Sequence, residues 1–154
     1  MKVSDFMMAN VVTCHPDSWL TEAAKLMREH EIGFLPVVDR KTGVLVGVLT
    51  DRDGFMAAFA EGKRLWDIPV RAAMNREVKS CKADAPIEEA EQIMGTNRIR
   101  RLPVVDEANH PIGLLSLDDI ARRAALEGNE AIELEVAAAL GAISRAREGL
   151  AFRH

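Results

Sequence analysis

An α+β fold, built from two copies of one β-α-β-β-α unit and closed by a C-terminal helix, is the fold class this sequence predicts. Three observations carry it. First, Phe34-Leu35-Pro36-Val37-Val38-Asp39 returns as Arg101-Leu102-Pro103-Val104-Val105-Asp106, 67 positions on. The same offset relates Met7 to Met74, Thr13 to Ser80, Cys14 to Cys81, Asp17 to Asp84, Ala23 to Ala90 and Met27 to Met94. Second, the offset shortens by one beyond that run. Gly47-Val-Leu-Thr50-Asp-Arg-Asp53 then matches Gly113-Leu-Leu-Ser116-Leu-Asp-Asp119. Third, each copy alternates short apolar runs with helix-spaced stripes. A repeat of this length sets the architecture: two copies packed about a pseudo-twofold axis, with the cleft between them as the first place to expect a ligand.

The elements follow in order. Val11-Val12-Thr13 reads as a short strand. Asp17 or Ser18 can cap a helix that carries Leu20, Ala23, Ala24 and Met27 on one stripe. Gly33 follows that helix, and Leu35 to Val38 begins a strand. Proline at a strand's start suggests an edge or entry position, because it donates nothing to the ladder. Asp39 to Gly43 has turn composition, Val44 to Leu49 is the partner strand, and Thr50 opens a helix through about Ala60. In the second copy Val78-Lys-Ser80 is the strand. Asp84-Ala-Pro86 starts the helix, with proline in its tolerated first turn. Leu102–Val105 and Ile112–Leu115 form the hairpin around 107–111, and Ser116 opens the closing helix. The lead-ins Val3 to Met7 and Val70 to Met74 correspond. The expected organisation is repeat 1 over residues 1–62, a linker over 63–69, repeat 2 over 70–126 and a helical tail over 127–154. Within the tail, 129–149 is rich in Ala, Glu, Leu and Arg and carries a stripe of Ile132, Val136, Ala139, Leu140 and Ile143. That stripe can pack on its own domain or on a second subunit.

Composition narrows the function. The chain has 154 residues, 48% of them hydrophobic and 29% charged, enough for a soluble core. A net charge of −4 argues against DNA or general nucleic-acid binding. No apolar run reaches membrane-spanning length and the start lacks a signal-peptide pattern, so a cytoplasmic protein is expected. Cys14 and Cys81 read as small buried hydrophobes, with a redox pair as the alternative. The histidines at 15, 30, 110 and 154 have no ligand spacing, so no metal site is expected. No nucleophile stands with a plausible base and there is no Walker-type loop, so an enzyme is not expected.

The chemistry concentrates where a strand ends and a helix begins. Free amides and the positive end of the helix dipole make such a turn an anion site. The hydroxyl of Thr50 or Ser116 can meet a phosphate, and the carboxylate of Asp53 or Asp119 can accept from a ribose diol. Gly47 and Gly113 leave room for another group to approach the strand. Thr50-x-x-Asp53 and Ser116-x-x-Asp119 also have the form of a capping box, which needs no ligand.

Taken together, the Leu-Pro-Val-Val-Asp runs, the two Gly-x-x-Thr/Ser-x-x-Asp turns and their spacing resemble tandem cystathionine β-synthase (CBS) domains, the Bateman module, over about residues 1–125. The resemblance implies a pseudo-symmetric pair, frequent dimerisation into a flat disc, and up to two clefts for adenine nucleotides or similar adenosine ligands. By position it implies ribose contacts from Asp53 and Asp119, and phosphate or ribose contacts from Thr50 and Ser116. Thr13 and Ser80 would line adenine pockets. Ile32-Gly33-Phe34 and Ile99-Arg100-Arg101 would supply base-contacting backbone and phosphate-facing side chains. Arg52 would favour a phosphate, whereas Asp118 replaces it in the second turn, so the sites should be unequal. The expected function is a stand-alone regulatory module. It requires no cofactor, binds AMP, ADP, ATP, NAD or S-adenosylmethionine as a ligand, forms a homodimer and signals to an unknown effector protein in trans. The alternatives are a structural scaffold with empty clefts and a thiol sensor using Cys14 and Cys81.

Overall fold

The structure, a computed structural model, describes residues 1–145. The chain groups into two units. One comprises residues 11–78 and 107–111; the other comprises residues 1–10, 79–106 and 112 onward.

The first unit contains α1 (Leu20–Glu29), β1 (Phe34–Val38), β2 (Leu45–Thr50), α2 (Asp51–Glu61) and a short α3 (Val70–Ala73). Leu20 and Ala23 of α1 are buried with Leu35, Val37 and Leu49 of the strands. Neither Asp17 nor Ser18 caps α1. The amide of Trp19 donates to the Glu22 carboxylate at 2.7 Å instead, and Asp17 pairs with Arg40 at 3.1 Å. After α1 the chain turns through Glu31, whose φ of 54° is left-handed. The amide of Ile32 then donates to Met27 O. β1 and β2 are antiparallel, with Phe34 opposite Thr50 and Val37 opposite Gly47. The expected turn forms: the amides of Lys41 and Thr42 donate to Asp39 Oδ1, and Gly43 takes the left-handed φ of 71°. Residues 107–111 complete this unit, with the Leu45 amide donating to Asn109 O at 2.9 Å. The joining segment ends α2 at Gly62 and passes through a 3-10 turn, Leu65–Asp67. It then buries Ile68, whose carbonyl accepts from the Leu20 amide.

The second unit contains β3 (Cys81–Lys82), α4 (Ile87–Asn97), β4 (Arg101–Val105), β5 (Pro111–Ser116, of which Pro111 groups with the first unit), α5 (Leu117–Glu127) and α6 (Glu130–Arg145). Its strands run in the order β3-β4-β5, with β3 parallel to β4. Pro86 is the N-cap of α4, one position earlier than the first helical turn expected for it. Arg98, 67 positions after Glu31, repeats its left-handed conformation at φ 58°.

Two corrections concern the strands. Residues 11–13 form no strand, and 78–80 form none either. Pairing falls instead on the next residue in each copy: Cys14 lies parallel to Val37, and Cys81 to Val104. Proline explains the shift. Pro36 lies inside β1, not at its start, opposite Val48. Both backbone groups of Val48 are used by Asn75, so they point away from β1. The nitrogen of Pro36 therefore faces the other side, where an ordinary residue would donate toward residue 12. Without that N–H the ladder begins only at Cys14, whose amide donates to Pro36 O. Pro103 holds the same place in β4.

The lead-ins exchange units. Residues 1–10 belong to the unit of the second copy, where Met8 pairs with Leu114. In the first unit Asn75 pairs in the same way with Val48. This accounts for two glycines. A Cβ added at Gly113 would lie 2.6 Å from the Met7 sulfur, and one at Gly47 would lie 2.9 Å from the Met74 sulfur. The group that approaches each strand is a lead-in methionine.

Helix α6 packs on its own unit. Ile132, Val136, Ala139 and Ile143 are buried with Ile87, Ala90, Met94 and Ile120, and Leu140 is half-buried against them. The expected continuation to Gly149 lies outside the described residues, as does His154.

Candidate functional site

The antiparallel register brings Phe34 and Thr50 side by side at the end of the β1–β2 sheet. Thr50 is the N-cap of α2. Its hydroxyl accepts from the Asp53 amide at 3.1 Å, while the Thr50 amide donates to Asp53 Oδ2 at 2.9 Å. The capping box is thus real in the first unit, and it leaves Asp53 Oδ1 with no hydrogen bond among the described residues. Gly33 joins this end of the sheet, since its carbonyl accepts from the Asp51 amide at 3.1 Å. A Cβ on Gly33 would meet the Asp51 carboxylate at 2.8 Å, so glycine makes room for that acid. Phe34 is buried, Ile32 packs half-buried on the core, and Arg52 is exposed. Thr13, half-buried, lines a different cavity of about 430 Å³ with His15, Ser18 and Arg40.

The second unit repeats the plan with altered charges. Ser116 caps α5, accepting from the Asp119 amide at 3.1 Å and donating to Asp119 Oδ2. Asp119 Oδ1 is taken as well, because Arg122 donates to it at 2.8 Å. In the first unit the matching position is Met56, so Asp53 has no such partner. Arg100 replaces Gly33, and its carbonyl accepts from the Leu117 amide at 3.0 Å. Leu117 replaces Asp51, so no carboxylate competes for the space a side chain at 100 occupies. Arg100 and Arg101 are exposed, Ile99 packs half-buried on the core, and Ser80 is half-buried before β3.

Asp51 and Arg122 are the site neighbours the sequence reading missed. Both had a signal. Asp51 and Gly33 change together between the copies, to Leu117 and Arg100. Arg122 stands three residues after Asp119 on a helix, a spacing at which opposite charges meet.

Both cysteines are buried and free. Burial pushes the Cys14 thiol up to about 12. Burial, with Glu89 nearby, pushes Cys81 up to about 11. Such thiols are poor nucleophiles at neutral pH.

A family model for the CBS domain matches residues 3–58 and 70–126. The chain belongs to the CBS-domain family. Its CBS repeats are 41% identical, over 119 residues, to the CBS domain-containing protein YhcV of Bacillus subtilis; the match covers 77% of this chain and 82% of that protein. They are 37% identical to part of the inosine-5'-monophosphate dehydrogenase of Methanocaldococcus jannaschii, covering 79% of this chain but 23% of the enzyme. Among solved structures, the CBS domain pair of protein MJ0100 in complex with 5'-methylthioadenosine and S-adenosyl-L-methionine is similar with a TM-score of 0.73 and 30% identity. It covers 82% of this chain and 98% of that one. Among the described residues no helix is long and apolar enough to cross a membrane.

Proposed function

We propose that this CBS-domain chain is a cytoplasmic regulatory module that binds an adenosine-containing ligand and signals to a partner protein in trans. AMP, ADP, ATP, NAD and S-adenosylmethionine are the candidate ligands. The observation that carries the reading is the end of the β1–β2 sheet. There the N-terminus of an eleven-residue helix, the Thr50 hydroxyl and the open Oδ1 of Asp53 stand beside the backbone of Gly33. Asp53 would accept a ribose hydroxyl through Oδ1 while its other oxygen keeps the cap. Thr50 and Arg52 would meet a phosphate or other polar group, and Ile32, Gly33 and Phe34 would face the base; Thr13, on a different cavity, would not take part unless the ligand reached across to it. The adenosine ligands held by the similar CBS pair support this class of ligand. In the second unit Ser116 and Asp119 would do the same work with Ser80, Ile99, Arg100 and Arg101. Binding there would have to draw Asp119 Oδ1 away from Arg122, so this site should be the weaker one. Signalling would follow from the ligand's preference for one conformation of the module.

A homodimer belongs to this reading. Phe55 and Phe59 lie one helical turn apart on α2, 74% and 78% exposed, and a second copy would cover them. The scaffold reading is favoured by a different observation: both acids already have partners in the protein, Asp53 in the Thr50 amide and Asp119 in the Ser116 hydroxyl and Arg122.

Asp53→Ala and Asp53→Asn separate these readings. Asp53→Ala should cost about 1 kcal/mol of stability through the lost cap, and both variants should weaken adenosine-ligand binding at least tenfold. Stability lost with affinity unchanged would leave Asp53 a cap and nothing more.

A further inference from the structure

In the second unit α6 packs against both α4 and α5. Ile87, Ala90, Met94, Leu117, Ile120 and Ala124 are buried with it. The repeat sets Leu20, Ala23, Met27, Asp51, Gly54 and Ala58 at the matching positions of the first unit. There they line a groove of about 450 Å³ between α1 and α2. α2 accordingly buries none of its residues, whereas α5 buries Leu117, Ile120 and Ala124. The place that α6 takes in one unit is a groove in the other.

The residues around that groove are those of an interface. Gly54-Phe-Met-Ala-Ala-Phe-Ala60 is a run of uncharged residues through the middle of α2, and a helix apolar all round belongs in an interior. α5 instead carries the exposed Arg122 and Arg123 at the positions of Met56 and Ala57. Phe55 and Phe59 stand exposed on α2. Trp19 and Trp66 are exposed as well, and each adjoins a residue lining the groove, Leu20 and Leu65. Among the described residues every exposed Phe or Trp belongs to this unit. Aromatic residues and methionine concentrate where proteins meet.

We propose that two copies of this chain join through the α1–α2 face of the first unit alone, each setting its α2 phenylalanines into the groove of the other, while α6 fills the corresponding place in the second unit. This rests on the homodimer reading above and names its surface. The face is self-complementary: Phe59 projects beside a groove lined by Ala23, Ala24, Gly54 and Ala58, side chains too small to fill it. A twofold axis requires one patch to serve both partners, projection and recess together. With no charge between Gly54 and Ala60, two α2 helices can approach without like charges opposing each other. On α5, Arg122 and Arg123 would oppose their own copies.

The test is light scattering and sedimentation of the full chain, as wild type and with arginine at two equivalent exposed positions, Phe59→Arg on α2 and Ala125→Arg on α5. Wild type should be a dimer that grows no further at about 100 μM, where a micromolar contact is saturated. Phe59→Arg should raise the dissociation constant at least about tenfold, with the circular dichroism spectrum and thermal melt unchanged, and Ala125→Arg should leave it within about twofold. Raising the wild-type concentration through the dimer transition should slow amide exchange in α2 and leave α5 unaltered. Equal loss in the two variants, a dimer undisturbed by Phe59→Arg, or exchange slowed in α5 alone would overturn this surface and leave the homodimer standing. A tetramer or larger species would overturn it too, because that needs a second self-contact. A wild-type monomer at about 100 μM would overturn this surface and the homodimer reading together.

Discussion

Glu91, Asp53 and Asp119 are all acids on helices, and their surroundings give them different work. At half-buried positions Asp53 closes a capping box with Thr50, while Asp119 accepts from the hydroxyl of its cap, Ser116. Glu91 is buried among Ile87, Ala90 and Met94 with its carboxyl raised to about 8, above the 4.5 of the unfolded chain. Between those values the folded state holds a proton that the unfolded chain has lost. The stability Glu91 contributes is therefore full below about pH 4.5 and is lost as pH rises through about 8. Thermal melts at acid, neutral and mildly alkaline pH should show a decline worth a few kcal/mol at most, and Glu91→Leu should flatten it. A decline of the same size in Glu91→Leu would remove Glu91 as its cause. The capping pairs were legible from spacing alone, because both members lie within one turn. Glu91 was not: its burial depends on α6, some 40 positions on, and nothing local marks it as different from Glu88 or Glu89.

At the scale of elements, proline and glycine record contacts that are distant in sequence. The hairpins, the helices after Thr50 and Ser116 and the tail helix were readable, since turn residues, hydroxyl caps and apolar spacing are local signals. The first strand of each copy was misplaced because Pro36 and Pro103 remove a donor from a different segment. Gly47 and Gly113 signalled a close approach but not its source. Gly113→Ala should cost about 1–3 kcal/mol by overpacking, and Met7→Ala should restore part of the loss. An undiminished cost in the double variant would place the conflict with the Met8 carbonyl, 3.3 Å from the added carbon, instead of the sulfur. The tail helix was open to two packings, and Ile132, Val136, Ala139 and Ile143 settle it on its own unit. Ile132→Ala should cost about 2–5 kcal/mol as a core deletion, measured by denaturant unfolding. A second copy remains the proposed cover for α2: Phe55→Ser with Phe59→Ser should lower the light-scattering mass from dimer to monomer. An unchanged mass would move the dimer contact elsewhere.

Across the whole molecule, repeats of sequence and units of packing do not coincide. The repeat reading divides the chain near residues 62 and 70, whereas residues 1–10 fold with the unit of the second copy and 107–111 with that of the first. Such an exchange is invisible to periodicity, because Met7 and Met74 look alike whichever strand they cover. Deleting residues 1–10 should therefore reduce amide protection in β5 and at the start of α4, where Leu114 and Ile87 lose partners in Met8 and Met1. Hydrogen exchange in β1 and β2 should be little changed. Loss confined to β1 and β2 would contradict the exchange.

Whether this CBS pair binds an adenosine ligand is decided by calorimetric titration of ligand-free protein with AMP, ATP, NAD and S-adenosylmethionine in turn. Saturable binding of at least one of them is expected, at no more than two per chain, with Asp53→Ala weakening the tighter site. Silence across the series from a folded, wild-type chain would contradict this and leave the Thr50–Asp53 capping box and the Ser116 cap, where the expected second box does not form, as structural features alone.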